Sequence, residues 1–171
     1  IDGSLYIVQA RPSTVETQKD ARAYEKYHLK NRGHILAVGK SIGRKIATGP
    51  AHIIPAVEHM HELKAGEVLV TDETNPDWVP IMKIASGIVT NRGGRLCHAA
   101  IIARELGIAT VVGTSNATMS IKNGEMVTVC CAEGDTGYVY DGSLPFDIQK
   151  IEIDHAIPTR THLMVTIAEP D

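Results

Sequence analysis

The strongest candidate for chemistry in this sequence is a histidine that follows a pair of glycines and precedes a helical pattern. His98 lies in the stretch GGRLCHAAIIARELG, which begins at Gly93. The glycine pair lets a ligand approach the main chain closely, and the first turn of a helix offers unpaired N–H groups and a partial positive charge. Neutral imidazole is a nucleophile near neutral pH because its pKa is about 6.5. These features favour a histidine that carries a phosphoryl group.

Arginines flank the same glycines. Arg92 precedes them and Arg95 follows, and the guanidinium group matches the geometry of a phosphate oxygen pair. We therefore predict a phosphate-binding loop that comprises Arg92, Gly93, Gly94 and Arg95, with a solvated loop face as the alternative reading of the two arginines. Arg104, two turns into the helix, is predicted to be a surface charge.

The surrounding pattern predicts how this loop is positioned. Strands are expected at 67–71, 87–91 and 109–112, separated by a helix that starts at Asn75 and Pro76 and by the histidine helix, which ends at Gly107. A β-α-β-α-β order implies a parallel sheet with right-handed crossovers. Ligands of such sheets bind beyond the carboxyl ends of the strands, where His98 is expected to be exposed.

The flanking segments are less regular. Short apolar runs broken by glycines between residues 35 and 55 predict a β-rich region. Asn123-Gly124 predicts a hairpin between strands at 119–121 and 126–129, and a last strand is expected at 138–140. The polar segment 13–33 is interpreted as a linker that contains a weak helical stretch.

Composition excludes several classes of function. The chain has 171 residues, a formal net charge of -3 and 4% aromatic residues, so neither a basic field nor stacking platforms favour nucleic acid. No apolar run approaches the roughly 20 residues that span a bilayer. Three cysteines, two of them adjacent, favour a reducing cytoplasm over a disulfide framework. They lack the spacing of a zinc site, and Cys97 and His98 are neighbours that seldom meet as a nucleophile pair.

The histidine stretch resembles the signature of enzymes that use or make phosphoenolpyruvate. The similarity extends to TDETNPDW at 71–78, to TNR at 90–92, to VVGT at 111–114 and to CAEGDTGYVY at 131–140, and it is greatest to the phosphoenolpyruvate synthases of that family. It implies an α/β fold: a swivelling β/β/α phosphohistidine domain with a largely parallel sheet, flanking helices and a second, smaller sheet. It assigns that domain to residues 34–145.

The resemblance also implies a reaction and partners. His98 would take the β-phosphoryl group of ATP through a pyrophosphoryl intermediate, release AMP, lose the outer phosphate to water and pass the remaining group to pyruvate. Mg²⁺ would act in the partner domains, with no metal ligand in this chain. Residues 1–12 resemble the end of an ATP-grasp domain, in which Gln9 and Arg11 would lie at the nucleotide site. Residues 146–171 would lead toward the phosphoenolpyruvate- and pyruvate-binding barrel, and any oligomer would form through other domains.

Two alternatives stay open at this level. A pyruvate phosphate dikinase or an antibiotic phosphotransferase would share the carrier domain and differ in an acceptor site that lies elsewhere. A non-catalytic binding module on the same fold would keep His98 unreactive.

Leu96 departs from the family pattern, which has threonine two residues before the histidine. In synthases and dikinases of the family, that threonine is where a regulatory protein phosphorylates and switches off the enzyme. A leucine side chain has no hydroxyl group, so the resemblance implies that this switch is absent and that one means of orienting the imidazole is lost.

We predict that no phosphate becomes attached to residues 93–97 by a threonine-directed kinase, because none of these five residues carries a hydroxyl group. Peptide mass mapping after incubation with such a regulatory kinase checks this. A phosphate mapped to residues 93–97 would contradict the prediction.

Overall fold

The computed structural model describes residues 23–152, which form a seven-stranded closed barrel and a separate two-stranded sheet. Predicted segments at 1–22 and 153–171, including Gln9 and Arg11, lie outside the described residues. The strands are β1 (Ala23–Leu29), β2 (Ile35–Ile42), β3 (Ile46–Ile53), β4 (Val68–Thr71), β5 (Gly87–Thr90), β6 (Ala109–Val112), β7 (Met126–Cys130), β8 (Thr136–Asp141) and β9 (Phe146–Glu152). The α-helices are α1 (Val79–Met82), α2 (His98–Leu106) and α3 (Ala117–Ser120), and 3-10 turns span Val57–Glu62 and Pro76–Trp78.

The barrel is a mixed sheet in the order β2-β6-β5-β4-β3-β7-β8. Strands β3, β4, β5 and β6 pair in parallel, and the remaining pairs are antiparallel. The predicted α/β class is confirmed, with a second small antiparallel sheet beside the main one. The predicted β-α-β-α-β unit is the run from β4 through α1, β5 and α2 to β6, whose strands are neighbours as expected.

The three central strands are covered on both faces. Every residue of β4, β5 and β6 is buried, which is the pattern of parallel strands enclosed by other layers. Alternate side chains such as Val68, Val70 and Val89 fill the barrel interior, whereas Leu69 and Ile88 pack against the helical layer. The carboxyl ends of these strands are therefore held in place from two sides.

The first helical segment begins as the sequence predicts. The Asn75 side chain accepts a hydrogen bond from the Asp77 amide at 3.0 Å, and Pro76 occupies the first helical position. A 3-10 turn comes first and α1 follows it. The expected apolar stripe is confirmed, since its four members are buried: Trp78, Ile81, Met82 and Ala85.

The predicted strand at 119–121 is wrong, because this segment belongs to the short helix α3 and its end. Ala117 and Ile121 are both buried against the barrel interior, as residues four positions apart on one face of a helix are, whereas a strand would also turn residue 119 to that face. Met119, which lies between them, is 84% exposed. Strand β7 pairs instead with β3 and β8.

The ends of the described region pair with each other. Strands β1 and β9 form an antiparallel ribbon from Ala23 opposite Glu152 to Leu29 opposite Phe146. Tyr27 and Phe146 join a hydrophobic cluster with Tyr140 of the barrel. The parts of 13–33 and 146–171 that the structure describes thus include ordered strands, where sequence analysis suggested a linker and a weak helix.

The adjacent residues Cys130 and Cys131 lie on opposite faces of the sheet. Cys131 belongs to the barrel interior and Cys130 to the cluster under the ribbon. Burial raises the pKa of the Cys131 thiol to about 12, because desolvation penalises the thiolate. Among residues 23–152, no three His, Cys, Asp or Glu side chains are grouped to hold a metal ion.

Within the described part of the chain, no helix has the length and apolar character needed to cross a membrane.

A half-buried carboxylate ties the connection before β4 to β3. Glu67 Oε2 accepts hydrogen bonds from the Lys64 amide at 2.8 Å and contacts His52 Nδ1 at 2.8 Å. Burial alone would raise the pKa of Glu67, but the contacts with Lys64 and His52 outweigh it and the pKa lies below the ordinary value. A carboxyl group of this kind stabilises the fold only when it is ionised.

We therefore expect Glu67→Gln to lower the free energy of unfolding by about 1 kcal/mol at pH 7. The folded-state pKa is lowered, so the stabilisation is present above the unfolded value of about 4.3 and disappears as the pH falls through the folded-state pKa. Urea denaturation at pH 7 and at pH 3.5 measures the difference. Glu58→Gln, on the exposed 3-10 turn nearby, is the matched control, and an equal loss at both pH values would contradict the assignment.

Candidate functional site

The loop between β5 and α2 lies at the carboxyl edge of the parallel strands. Its first residues bond to the loops on either side: the Arg92 amide donates to the Asp72 carbonyl at 2.9 Å, and the Ser115 amide donates to the Asn91 carbonyl at 2.9 Å. Thr114 donates through both its amide and its hydroxyl to the Thr90 carbonyl, each at 3.0 Å. The loop is therefore attached to the ends of β4 and β6.

Asn91 is the centre of this attachment. Its side-chain amide donates to Asp72 Oδ1 at 3.2 Å and to Thr118 Oγ1 at 2.6 Å. Its side-chain oxygen accepts from the Thr118 amide at 3.1 Å. One asparagine thus links β4, β5 and α3. Sequence analysis did not select Asn91 or Asp72, although each is the first polar residue after a buried strand, which is a recognisable signal for a site at a sheet edge.

The two glycines of the loop have different roles. Gly93 has φ +106°, a conformation that favours glycine, and a Cβ there would lie 2.7 Å from Cys97 Sγ. A Cβ on Gly94 would meet nothing within 4 Å. Gly113, in the next loop, has φ +69°, and a Cβ there would lie 2.6 Å from the Gly93 carbonyl oxygen. The main chains of the two loops can approach this closely because Gly113 has no side chain.

Helix α2 starts directly after the loop and packs closely on the sheet. Cys97 precedes it with extended backbone angles and makes no side-chain capping hydrogen bond. Ala99, Ala100 and Ala103 are buried, so small side chains bring the helix close to β5 and β6. The helix ends at Gly107, with φ +64°, as predicted. The partial positive charge of the helix N-terminus is therefore directed at the loop.

His98 is the first residue of α2. It is half-buried rather than fully exposed as expected, because its ring turns toward the protein. The Nε2 atom is buried without a hydrogen-bond partner among the described residues. Buried polar atoms without a partner are uncommon and often mark functional sites. The imidazole must turn outward before Nε2 can meet a substrate.

Both predicted arginine ligands are engaged in ion pairs. Arg92 Nε lies 3.1 Å from Asp72 Oδ2, and a guanidinium nitrogen of Arg95 lies 2.8 Å from Asp135 Oδ1. Arg104, predicted to be only a surface charge, donates a hydrogen bond to the Arg95 carbonyl at 2.7 Å. Arg104 and Asp135 are thus partners of Arg95 that sequence analysis did not identify.

A pocket of about 630 Å³ opens on the outer side of the loop. Two cationic side chains, Lys40 of β2 and Arg95, line it together with Asp135. The exposed residues Gly94 and Leu96 and the half-buried Cys97 complete its wall, and Leu96 is 86% exposed. The pocket has room for a phosphate group, and the cations match its charge.

Gly113→Ala tests whether the close approach to Gly93 positions the loop. We expect it to lower the free energy of unfolding by at least about 1 kcal/mol more than Gly124→Ala, because both glycines have positive φ but only Gly113 contacts another main-chain atom. Urea denaturation measures the stabilities, and amide chemical shifts of residues 93–97 report the loop. Equal losses and unchanged shifts in the two variants would show that the contact does not position it.

Comparisons with known proteins agree with this geometry. Residues 63–134, which contain the loop, α2 and the parallel strands, match the mobile domain of PEP-utilising enzymes. The chain is 52% identical over 170 residues to a phosphoenolpyruvate synthase of Pseudomonas aeruginosa and 51% identical over 169 residues to one of Escherichia coli. Each match covers 99% of this chain and 22% or 21% of the relative.

The chain therefore spans about a fifth of the length of these relatives. Among solved structures, it is similar to an NMR structure of an Enzyme I protein, with 34% identity over 46% of this chain and 33% of that one and a TM-score of 0.40. A superposition this partial carries no argument by itself. The sequence matches are what show that residues 63–134 of this chain are a mobile domain of the PEP-utilising enzyme family.

Proposed function

We propose that this chain is the phosphoryl carrier of a phosphoenolpyruvate synthase and that His98 is the residue that carries the group. The observation that supports this most directly is the position of His98. It lies within the matched mobile domain, at the N-terminus of α2, beyond the carboxyl ends of the parallel strands. A helix N-terminus at such an edge stabilises an anion.

The proposed reaction begins with attack of an imidazole nitrogen of His98 on the β-phosphorus of ATP. An N–P bond forms, the bond from the β-phosphorus to the oxygen shared with the α-phosphate breaks, and AMP leaves. Water then removes the outer phosphate as inorganic phosphate. The remaining phosphoryl group passes to the enolate oxygen of pyruvate, which has lost a methyl proton, and the N–P bond breaks. A covalent intermediate on the histidine replaces one difficult transfer with several easier ones, which is the advantage of nucleophilic catalysis.

The chain's own groups would hold the phosphoryl group between these steps. Arg95, Lys40 and the exposed Gly94 line the pocket beside the loop. Arg92 is a weaker candidate ligand than Arg95, because it pairs with Asp72 at the strand end and is not among the residues that line the pocket. Gly93 would contribute through the loop conformation that it permits.

Magnesium is proposed to act outside this chain. Phosphoryl transfer from ATP depends on charge neutralisation by a metal ion, and the described residues contain no grouping of three potential ligands that fits one. We place the metal, together with the ATP and pyruvate sites, in the ATP-grasp and barrel domains expected from the resemblance. Gln9 and Arg11 are proposed as part of that nucleotide site. The three free cysteines fit the reducing cytoplasm as the location.

The alternatives predict different outcomes of one labelling experiment. The full-length protein is incubated with ATP labelled at the β-phosphate, and acid-labile, base-stable label is mapped by peptide mass. We expect label on His98 that added pyruvate moves into phosphoenolpyruvate. Label that pyruvate leaves in place would keep the carrier role and indicate another transferase, such as a dikinase or an antibiotic phosphotransferase.

His98→Ala is expected to abolish the label and to reduce pyruvate-dependent turnover on the order of 10³-fold or more, because the nucleophile is lost. His34→Ala, a substitution of an exposed histidine directly before β2, is the control and should keep both. A folded wild-type protein without label on His98 would overturn the proposed function and favour a non-catalytic binding module.

A further inference from the structure

The ion pair between Arg95 and Asp135 holds a phosphate-binding group against a carboxylate. The contact measures 2.8 Å, and the same guanidinium also donates to the Asp135 carbonyl at 3.3 Å. The Asp135 side chain is 89% exposed and that of Arg95 is 44% exposed. Exposed ion pairs of this kind contribute roughly 0 to 1 kcal/mol. A phosphate group with two negative charges competes well for the same guanidinium.

The backbone segments that carry Arg95 and Asp135 are each held by other hydrogen bonds, independently of this ion pair. Arg104 holds the Arg95 carbonyl at 2.7 Å, so the backbone of the loop is bound to α2. The turn that carries Asp135 is bound to β2, since the Ser41 amide donates to the Asp135 carbonyl at 3.2 Å and the Ser41 hydroxyl donates to the Gly134 carbonyl. The Arg95 guanidinium can therefore change partners without displacing either backbone.

Both side chains line the pocket beside the carrier loop, together with Lys40. His98 follows Cys97, which borders that pocket. An outward turn of the imidazole would bring an attached phosphoryl group toward the same space. In the unloaded state, Asp135 neutralises Arg95. In the loaded state, the phosphoryl group would be its stronger partner.

We propose that Asp135 is a positioning residue that holds Arg95 while His98 is unloaded and releases it to the phosphoryl group when His98 is loaded. This rests on the proposed carrier function of His98. Its consequence is thermodynamic: Asp135 stabilises the unloaded state through Arg95, and so keeps the phosphoryl group easier to pass on. Removal of the carboxylate should shift the equilibrium toward the loaded carrier.

The test measures the equilibrium fraction of labelled His98 in the full-length protein. ATP, AMP and inorganic phosphate are fixed at concentrations that label about half of the wild-type protein, and no acceptor is added. We expect Asp135→Asn to raise the ratio of loaded to unloaded carrier about threefold, which lies within the range of an exposed ion pair. Arg95→Gln should lower the ratio by a similar factor. Asp135→Glu, which keeps the carboxylate, should leave the ratio at the wild-type value.

The matched control is Asp147→Asn. Asp147 forms an ion pair with Lys30 at the same 2.8 Å, also between exposed side chains, on the β1–β9 ribbon. We expect no change in the ratio for this variant. Urea denaturation of each variant verifies that the fold is retained, because loss of a surface ion pair has little effect on stability.

A double variant separates the proposed exchange from simple charge repulsion. If Asp135 acts through Arg95, the effect of Asp135→Asn disappears in the Arg95→Gln background. An unchanged ratio in Asp135→Asn alone would overturn the inference, and so would an increase that persists without Arg95. Absence of label from His98 in the wild-type protein would instead refute the carrier function, so the two failures are distinguishable.

Discussion

The site depends on the burial of three parallel strands on both faces. Side chains of β4, β5 and β6 fill the barrel interior on one side and contact the helical layer on the other. A shift of any strand by one residue would turn its interior-facing side chains toward the helical layer and the others into the barrel. The register is therefore strongly specified. The carboxyl ends of the strands therefore have defined positions relative to one another. The loop before His98 starts from this rigid edge of the sheet.

Hydrogen bonds between neighbouring loops extend this rigidity beyond the sheet. Asn91 links the ends of β4 and β5 to α3, and Thr114 binds the Thr90 carbonyl twice. The absence of a side chain on Gly113 lets the next loop approach the Gly93 carbonyl. Residues 92–96 form the exposed part of the loop. The proposed carrier role needs this combination, since the histidine must be presented reproducibly while the groups proposed to bind the phosphate remain free to exchange partners.

The electrostatics of the loop follow the same division. Arg92 pairs with Asp72 at the base of the loop through both its guanidinium group and its amide. Arg95 is paired with an exposed carboxylate across a pocket, where the interaction is weak and reversible. Both ion pairs are exposed, and the two arginines differ in their surroundings, because Arg95 lines the pocket beside the loop and Arg92 lies at the end of a strand.

The sequence by itself determined the elements and the candidate histidine. Strand and helix periods placed β4, β5, β6 and α2, and the glycine pair before His98 indicated the site, because these signals are local and depend on backbone freedom and burial. The tertiary structure alone decided the rest. Asp135 is distant from Arg95 in sequence and adjacent in the fold, and the ribbon of β1 with β9 pairs the two ends of the described region. Closure of the sheet into a barrel, the inward turn of His98 and the helical form of α3 likewise arise from packing between segments that no short window of sequence contains.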